Sequence, residues 1–167
     1  MVDETTIECY VIVDMTTDKE WTMGCRSIGR LISILNRQAQ LYLNTALQDL
    51  DIGSSEHIFL INLLKEDGIS QEELSARLLI DKAATARALK SLEEKGYVRR
   101  EADASDRRSK KVFCTEKALA NGETLHGILR AWTALLTEGI PEEQAALAIT
   151  LLEKMSDNAR AAGHRIG

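Results

Sequence analysis

The chain has 167 residues, of which 44% are hydrophobic and 28% are charged, and its formal net charge is −5. These values are typical of a globular protein with one hydrophobic core and argue against a wholly disordered chain. No apolar run approaches the ~20 residues that span a bilayer, and the acidic N-terminus does not have the pattern of a secretory signal, so we expect a cytoplasmic protein with no membrane partner. The three widely spaced cysteines, Cys9, Cys25 and Cys114, fit a reducing compartment rather than a disulfide framework.

The first segment, residues 1–23, is an acidic extension whose role the sequence leaves open. Apolar residues alternate between Ile7 and Val13, as they do in a short strand. The extension is therefore an arm, an added strand, or leader sequence upstream of a true start at Met15 or Met23.

The next segment predicts a long first helix. Apolar residues recur at steps of three and four from about Arg26 to Leu50 and form one stripe. Such a helix would be roughly 35 Å long, which suggests an element shared with a second subunit. A second helix, capped by Ser54 or Ser55, is predicted to run to about Glu66.

A helix-turn-helix motif is predicted next. The sequence Ser-Gln-Glu-Glu that starts at Ser70 matches a capping box and opens a short helix to about Leu78. After a brief turn, Asp81 is the expected N-cap of another helix, which ends before Gly96. Most side chains of this second helix are small, so its backbone could approach a groove closely.

Charge is concentrated around that helix. Residues 81–111 carry ten bases and six acids, a local charge of +4, whereas the remainder of the chain carries −9. A basic stripe on an acidic body is typical of phosphate binding at one edge, although a solvated charged face is the alternative interpretation. Two strands are predicted over 97–101 and 111–115, and the polar, basic segment between them predicts a wing.

Two further helices are predicted over about 116–137 and from Pro141 to about residue 162. Their apolar stripes are expected to pack on each other, on the first helix and on a second copy. We therefore predict a mainly α-helical fold with a small two- or three-stranded β wing. The predicted organisation is an extension in 1–23, dimerisation helices in 24–50 and 116–163, and a winged helix-turn-helix lobe in 51–115.

Five features occur in an order that is characteristic of one family. They are the long first helix, Gly-Ile-Ser-Gln-Glu-Glu-Leu from Gly68, Asp-Lys from Asp81, Leu-Glu-Glu-Lys-Gly-Tyr-Val-Arg-Arg from Leu92, and Asp-Ala-Ser-Asp-Arg-Arg-Ser from Asp103. Through them, and through the two C-terminal helices, residues 24–163 resemble the multiple-antibiotic-resistance regulator (MarR) family. The resemblance implies a homodimeric winged-helix protein that binds a pseudo-palindromic operator on double-stranded DNA. It also implies a repressor that small phenolic or lipophilic ligands, or oxidants, release from that DNA.

The resemblance and side-chain chemistry agree on the residues that read DNA. Arg87, on the recognition helix, is expected to bind guanine bidentately. The other candidates for phosphate or base-edge contacts are Lys82, Thr85 and Lys90 on the recognition helix, and Ser70 and Gln71 at the start of the helix before it.

The wing supplies a second set of expected contacts. Arg108 is predicted to enter the minor groove, with Asp106 holding its guanidinium by a charge-assisted hydrogen bond. Arg107, Lys110 and Lys111 are predicted to bind the phosphate backbone.

An effector pocket is expected from the resemblance alone. It would lie between the dimerisation helices and the winged lobe, with Tyr42, His57 and Phe59 as lining residues, and it would bind a small aromatic or lipophilic molecule. Ordinary core packing is the alternative for each of the three. Cys25 lies where some family members carry an oxidant-sensing cysteine, although the accompanying tyrosines are missing here, and a plain thiol is the alternative.

Chemistry of other kinds is not indicated. The sequence contains no CxxC, HExxH or glycine-rich phosphate loop, so neither a cofactor nor an enzymatic activity is expected. A winged helix used only for protein contacts is the remaining alternative, but it would not need Asp106, Arg107 and Arg108 together.

Overall fold

The computed structural model describes residues 27–102 and 110–166, and the side chains of these ranges as far as Ala162. The predicted extension, Cys25 and the tip of the wing lie outside the described residues. The helices are α1 (Ile28–Ala46), α2 (His57–Lys65), α3 (Gln71–Leu78), α4 (Lys82–Glu94), α5 (Glu116–Thr137) and α6 (Glu142–Ile166). The strands are β1 (Ile69–Ser70), β2 (Val98–Ala102) and β3 (Lys110–Cys114). The predicted fold class, mainly helical with a small sheet, is confirmed.

The chain divides into two compact units, Met1–Ala39 and Gln40–Gly167, with the boundary inside α1. In the first unit, the described part of α1 exposes apolar side chains such as Leu31 and Leu35. The second unit contains all the other helices and the three strands.

The predicted caps of the helix-turn-helix are present. The Ser70 hydroxyl accepts a hydrogen bond from the Glu73 amide at 3.1 Å, and the Glu73 carboxylate accepts one from the Ser70 amide at 3.0 Å. Asp81 Oδ1 accepts from the Ala84 amide at 2.8 Å and so caps α4. Gly96, with φ +76°, follows the end of α4 in the left-handed conformation that glycine adopts without strain.

The start of α2 differs from the prediction. Neither Ser54 nor Ser55 caps it, because the amides of Glu56 and His57 both donate to the Gly53 carbonyl and form a turn before the helix. The Ser54 amide donates instead to Asn44 Oδ1 at 3.2 Å. The long first helix also ends earlier than predicted, since the chain tightens into a 3-10 helix at Gln48–Leu50.

The sheet is antiparallel, with strand order β1-β3-β2. In the wing ribbon, Val98 pairs with Cys114 and Ala102 with Lys110, so each strand lies one residue from its predicted bounds. The third strand, β1, pairs Ile69 with Val112 and ties the start of α3 to the wing.

The core of the second unit lies between α2, α3, α4, the sheet and the first half of α5. Its fully buried side chains include Phe59, Leu63, Leu89, Leu92 and Tyr97. Burying each of these stabilises the fold by roughly 1.5–3 kcal/mol. No helix of the described ranges is long and apolar enough to cross a membrane.

Candidate nucleic-acid interface

The α3–turn–α4 segment has a fixed geometry. Leu79 adopts the left-handed conformation, with φ 55°, and reverses the chain after α3. The Ser75 hydroxyl then donates to the Ile80 carbonyl at 2.6 Å, and the Ile80 amide donates to the Ser75 carbonyl at 3.1 Å. Because both bonds join α3 to the turn, they hold the start of α4 in place.

The recognition helix α4 has one buried side and one basic side. Leu89 and Leu92 are completely buried, whereas Lys82, Arg87 and Lys90 are exposed. Lys90 lies 3.7 Å from Glu94, an exposed pair that contributes little to stability. Among the described residues, neither Lys82 nor Arg87 forms an ion pair, so both cations remain available to a ligand.

Thr85 does not fit the predicted set of DNA contacts. Its side chain is completely buried, on the same side of α4 as Leu89 and Leu92. The hydroxyl forms no hydrogen bond with any described residue. A side chain in that position cannot reach phosphate or a base edge, so the prediction for Thr85 is wrong.

At the start of α3, the capping box already uses the polar groups of Ser70. The Ser70 amide donates to the Glu73 carboxylate, and the Ser70 hydroxyl accepts from the Glu73 amide. These contacts, first the backbone bond and then the bond between the Ser70 side chain and the carboxylate, hold the pKa of Glu73 below its ordinary value. A contact between Ser70 and phosphate stays a prediction. Gln71, the first residue of α3, is partly exposed.

The wing is described up to its tip. Asp106, Arg107 and Arg108 lie outside the described residues, so their predicted roles stay predictions. Lys110, at the start of β3, is exposed, and Lys111 is partly exposed.

Comparisons with known proteins agree with this architecture. The model of the MarR family matches residues 50–109. A MarR transcriptional regulator from Methanosarcina mazei Go1 is 39% identical, with a TM-score of 0.77, over 81% of this chain and 97% of that one. The chain belongs to the MarR family. This is a family of winged-helix, DNA-binding transcriptional regulators and not of enzymes, as the sequence predicted.

Two other comparisons are informative. An uncharacterized HTH-type transcriptional regulator of Bacillus subtilis, YybA, is 28% identical over 78% of this chain and 87% of its own length. A mutant MarR from E. coli, solved in complex with operator DNA, is 30% identical with a TM-score of 0.70. That comparison covers 76% of this chain and 91% of the E. coli protein.

Two basic side chains of residues 81–111 form ion pairs within the winged lobe of this protein. Arg100 Nε donates to Glu93 Oε2 at 2.9 Å, and this bond is the main reason that the pKa of the Glu93 carboxyl lies below its ordinary value. Lys95 Nζ donates to Glu56 Oε2 at 2.8 Å. Neither pairing is evident from the sequence, in which every base of 81–111 contributes to the basic stripe.

The residues predicted to line an effector pocket lie in three different settings. Tyr42 stacks on Trp132 with ring centroids 5.1 Å apart, and Phe59 is buried in the core. His57 is partly buried, which lowers its pKa, and its Nδ1 donates to the Ser54 carbonyl at 2.6 Å. A pocket common to all three stays a prediction.

The described residues contain no group of three or more His, Cys, Asp and Glu side chains that could hold a metal ion. Cys114, the last residue of β3, is buried, and its amide donates to Asp67 Oδ1 at 2.7 Å.

Proposed function

We propose that this chain is a homodimeric repressor that binds a pseudo-palindromic operator, with α4 in the major groove and the wing over the adjacent minor groove. The observation that carries this proposal is the two-sided α4, which is anchored by Leu89 and Leu92 and presents Lys82, Arg87 and Lys90 to solvent. Because its partner would be operator DNA, we expect it to act in the cytoplasm.

The residues of the interface would make different kinds of contact with DNA. Arg87 would read a guanine, since its planar guanidinium can donate to O6 and N7 together. Lys82 and Lys90 would neutralise phosphates, and the Ser70 hydroxyl and Gln71 would donate to the same backbone. In the wing, Arg108 would insert into the minor groove beside Asp106, with Arg107, Lys110 and Lys111 on phosphates.

Exposed apolar surface supports the homodimer. In the second unit, α6 exposes Leu147, Ile149 and Leu152, each at about half of its full area. In the first unit, the described part of α1 exposes Leu31 and Leu35 in the same way. Soluble monomers rarely leave so much apolar area uncovered, and a two-fold dimer would place its two recognition helices on half-sites about 34 Å apart.

The decisive experiment is a titration of duplex DNA from the region upstream of the gene, followed by fluorescence anisotropy over a series of salt concentrations. We expect affinity to fall steeply with salt, as it does when several phosphates are contacted. Arg87→Ala should weaken operator binding by about 5- to 150-fold and relax the preference at one base pair. Lys82→Ala and Lys90→Ala should weaken all sequences alike and reduce the salt slope by about 1 each.

A matched control is Arg130→Ala, because Arg130 is an exposed base on α5 that pairs with Glu123 at 2.5 Å. It should leave operator binding unchanged. Arg108→Ala should weaken binding sharply without unfolding the protein. If the wild-type chain shows no salt-dependent binding to this DNA, a winged helix that contacts only proteins becomes the better interpretation.

Effector control belongs to the same proposal. A small aromatic or lipophilic molecule that enters beside Tyr42, His57 or Phe59 would lower operator affinity. Oxidant control through Cys25 is the alternative. Operator binding measured with and without peroxide, in wild type and in Cys25→Ser, separates the two, since only the redox mechanism predicts a release that Cys25→Ser abolishes.

A further inference from the structure

One side of α4 lacks close apolar support. A cavity of about 430 Å³ separates part of α4 from the start of α2. Four side chains of α4 line this cavity. Three of them are small, Ala84, Ala88 and Ser91, and the fourth is Arg87. Because small side chains reach little across a gap, they add few dispersion contacts between the two helices at this point.

An ion pair joins the same two helices. Glu56, the N-cap residue of α2, lines the cavity, and Lys95 is the C-cap residue of α4. Lys95 Nζ donates to Glu56 Oε2 at 2.8 Å, and the two side chains are only 23% and 9% exposed. The Gly53 amide donates to the same carboxylate oxygen at 2.6 Å, which fixes the carboxylate to the turn before α2.

The end of α4 is held from a second direction as well. Lys117 Nζ, on α5, donates to the Lys95 carbonyl at 2.8 Å. Lys95 is thus bonded through its side chain to the start of α2 and through its backbone to the start of α5. Its charge is already matched by a largely buried carboxylate, in contrast to Arg87, which is exposed and forms no ion pair with a described residue.

We propose that the Glu56–Lys95 pair is a positioning device for operator recognition: it sets the placement of α4 at which Arg87 meets a base edge, and Lys95 is not itself a phosphate contact. The inference rests on the function proposed above. Arg87 precedes Lys95 by eight residues, roughly 12 Å along the helix. A small rotation of the end of α4 therefore displaces the guanidinium relative to a base edge, and bidentate recognition tolerates little displacement.

The test is a double-mutant cycle on DNA binding. Lys95→Met keeps the length of the side chain without its charge, and Glu56→Gln keeps the shape of the carboxylate. We expect each to lower operator affinity at least about tenfold, within the range of a lost base contact, and to leave the affinity for non-operator DNA and the salt slope unchanged. In an Arg87→Ala background neither should weaken binding further, because the contact through which they act is already absent.

Controls separate positioning from loss of folding. Lys95→Arg retains the pair and should retain operator affinity, and Glu123→Gln removes an exposed carboxylate on α5 and should have no effect. Thermal denaturation of every variant establishes that the assay temperature lies below its unfolding transition. If a single variant unfolds, the Glu56→Gln/Lys95→Gln double, which leaves no unpaired buried charge, replaces it in the cycle.

Four results would contradict a positioning role for the Glu56–Lys95 pair. A salt slope reduced by about 1 in Lys95→Met, with equal losses on operator and non-operator DNA, would make Lys95 a phosphate contact. Losses that simply add to that of Arg87→Ala would also contradict positioning, as would normal affinity in both single variants. If Arg87→Ala itself binds normally, the proposed base reader fails, and positioning through it fails with it.

Discussion

The ring of Phe113 occupies the space beside Gly68: a Cβ atom built on Gly68 would lie 2.8 Å from Cε1 of that ring. Gly68 has φ +73°, and its amide donates to the Val112 carbonyl at 3.0 Å. The turn before β1 therefore brings its backbone directly against β3. Only glycine satisfies both the left-handed backbone and this close approach.

Gly68→Ala is expected to destabilise the protein more than Gly96→Ala. Both positions have a left-handed φ, which costs an alanine about 1 kcal/mol, but nothing lies within 4 Å of a Cβ atom at Gly96. The clash with Phe113 should add about 1 kcal/mol or more. Urea unfolding measures the free energy of unfolding that each variant loses. Phe113→Leu, added to Gly68→Ala, should reduce the extra loss at Gly68. Equal losses at the two glycines would show that the ring moves aside freely.

Thr85→Val is expected to stabilise the protein. The Thr85 hydroxyl is completely buried without a hydrogen-bond partner among the described residues, so replacing it by a methyl group of similar size removes a desolvation cost of about 1–3 kcal/mol. Thr85→Ala is the matched control, since it also removes a methyl group and leaves a void. Urea unfolding should rank valine above threonine. Operator affinity should not change, and a loss of it in Thr85→Val would mean that the hydroxyl contacts DNA after all.

The features predicted correctly from sequence are mostly local ones. The capping box at Ser70 and the cap at Asp81 depend on residues within one helical turn, so their signals are complete in the sequence. The error at Thr85 was avoidable, because Thr85, Leu89 and Leu92 are spaced by four and three residues and thus share the buried side of α4.

The features that sequence analysis missed depend on long-range pairing. Glu56 and Lys95 are 39 residues apart, and neither charge shows its partner in the sequence. Strand β1 has only two residues, and it becomes a strand because Ile69 pairs with Val112. Such contacts follow from how the elements pack, which a local pattern does not encode.

Cys114 is expected to be inert in the folded protein. Burial, aided by the nearby Asp67 carboxylate, raises the pKa of its thiol to about 11. Because the thiolate is the reactive form, only about a thousandth of it would be present at pH 8. In a Cys9→Ser/Cys25→Ser variant, iodoacetamide should modify Cys114 slowly in buffer and rapidly in 6 M urea. Rapid modification in buffer would contradict its burial and would make Cys114 a second candidate for oxidant control.

The Glu56 carboxylate is expected to make stability depend on pH in the acid range. Burial alone would raise its pKa, but hydrogen bonds from Lys95, Ser91 and the Gly53 amide outweigh this effect and hold the pKa below its ordinary value. A carboxyl whose pKa is lower in the folded state contributes stability above its unfolded pKa, about 4.3, and loses it as the pH falls through the folded value. Wild type should therefore exceed Glu56→Gln in unfolding free energy at pH 6, and the two should converge toward pH 3.

Glu94→Gln, at an exposed partner of Lys90, should match wild type throughout. A gap between wild type and Glu56→Gln that stays constant from pH 6 to pH 3 would show that the carboxylate contributes through its shape and not through its charge.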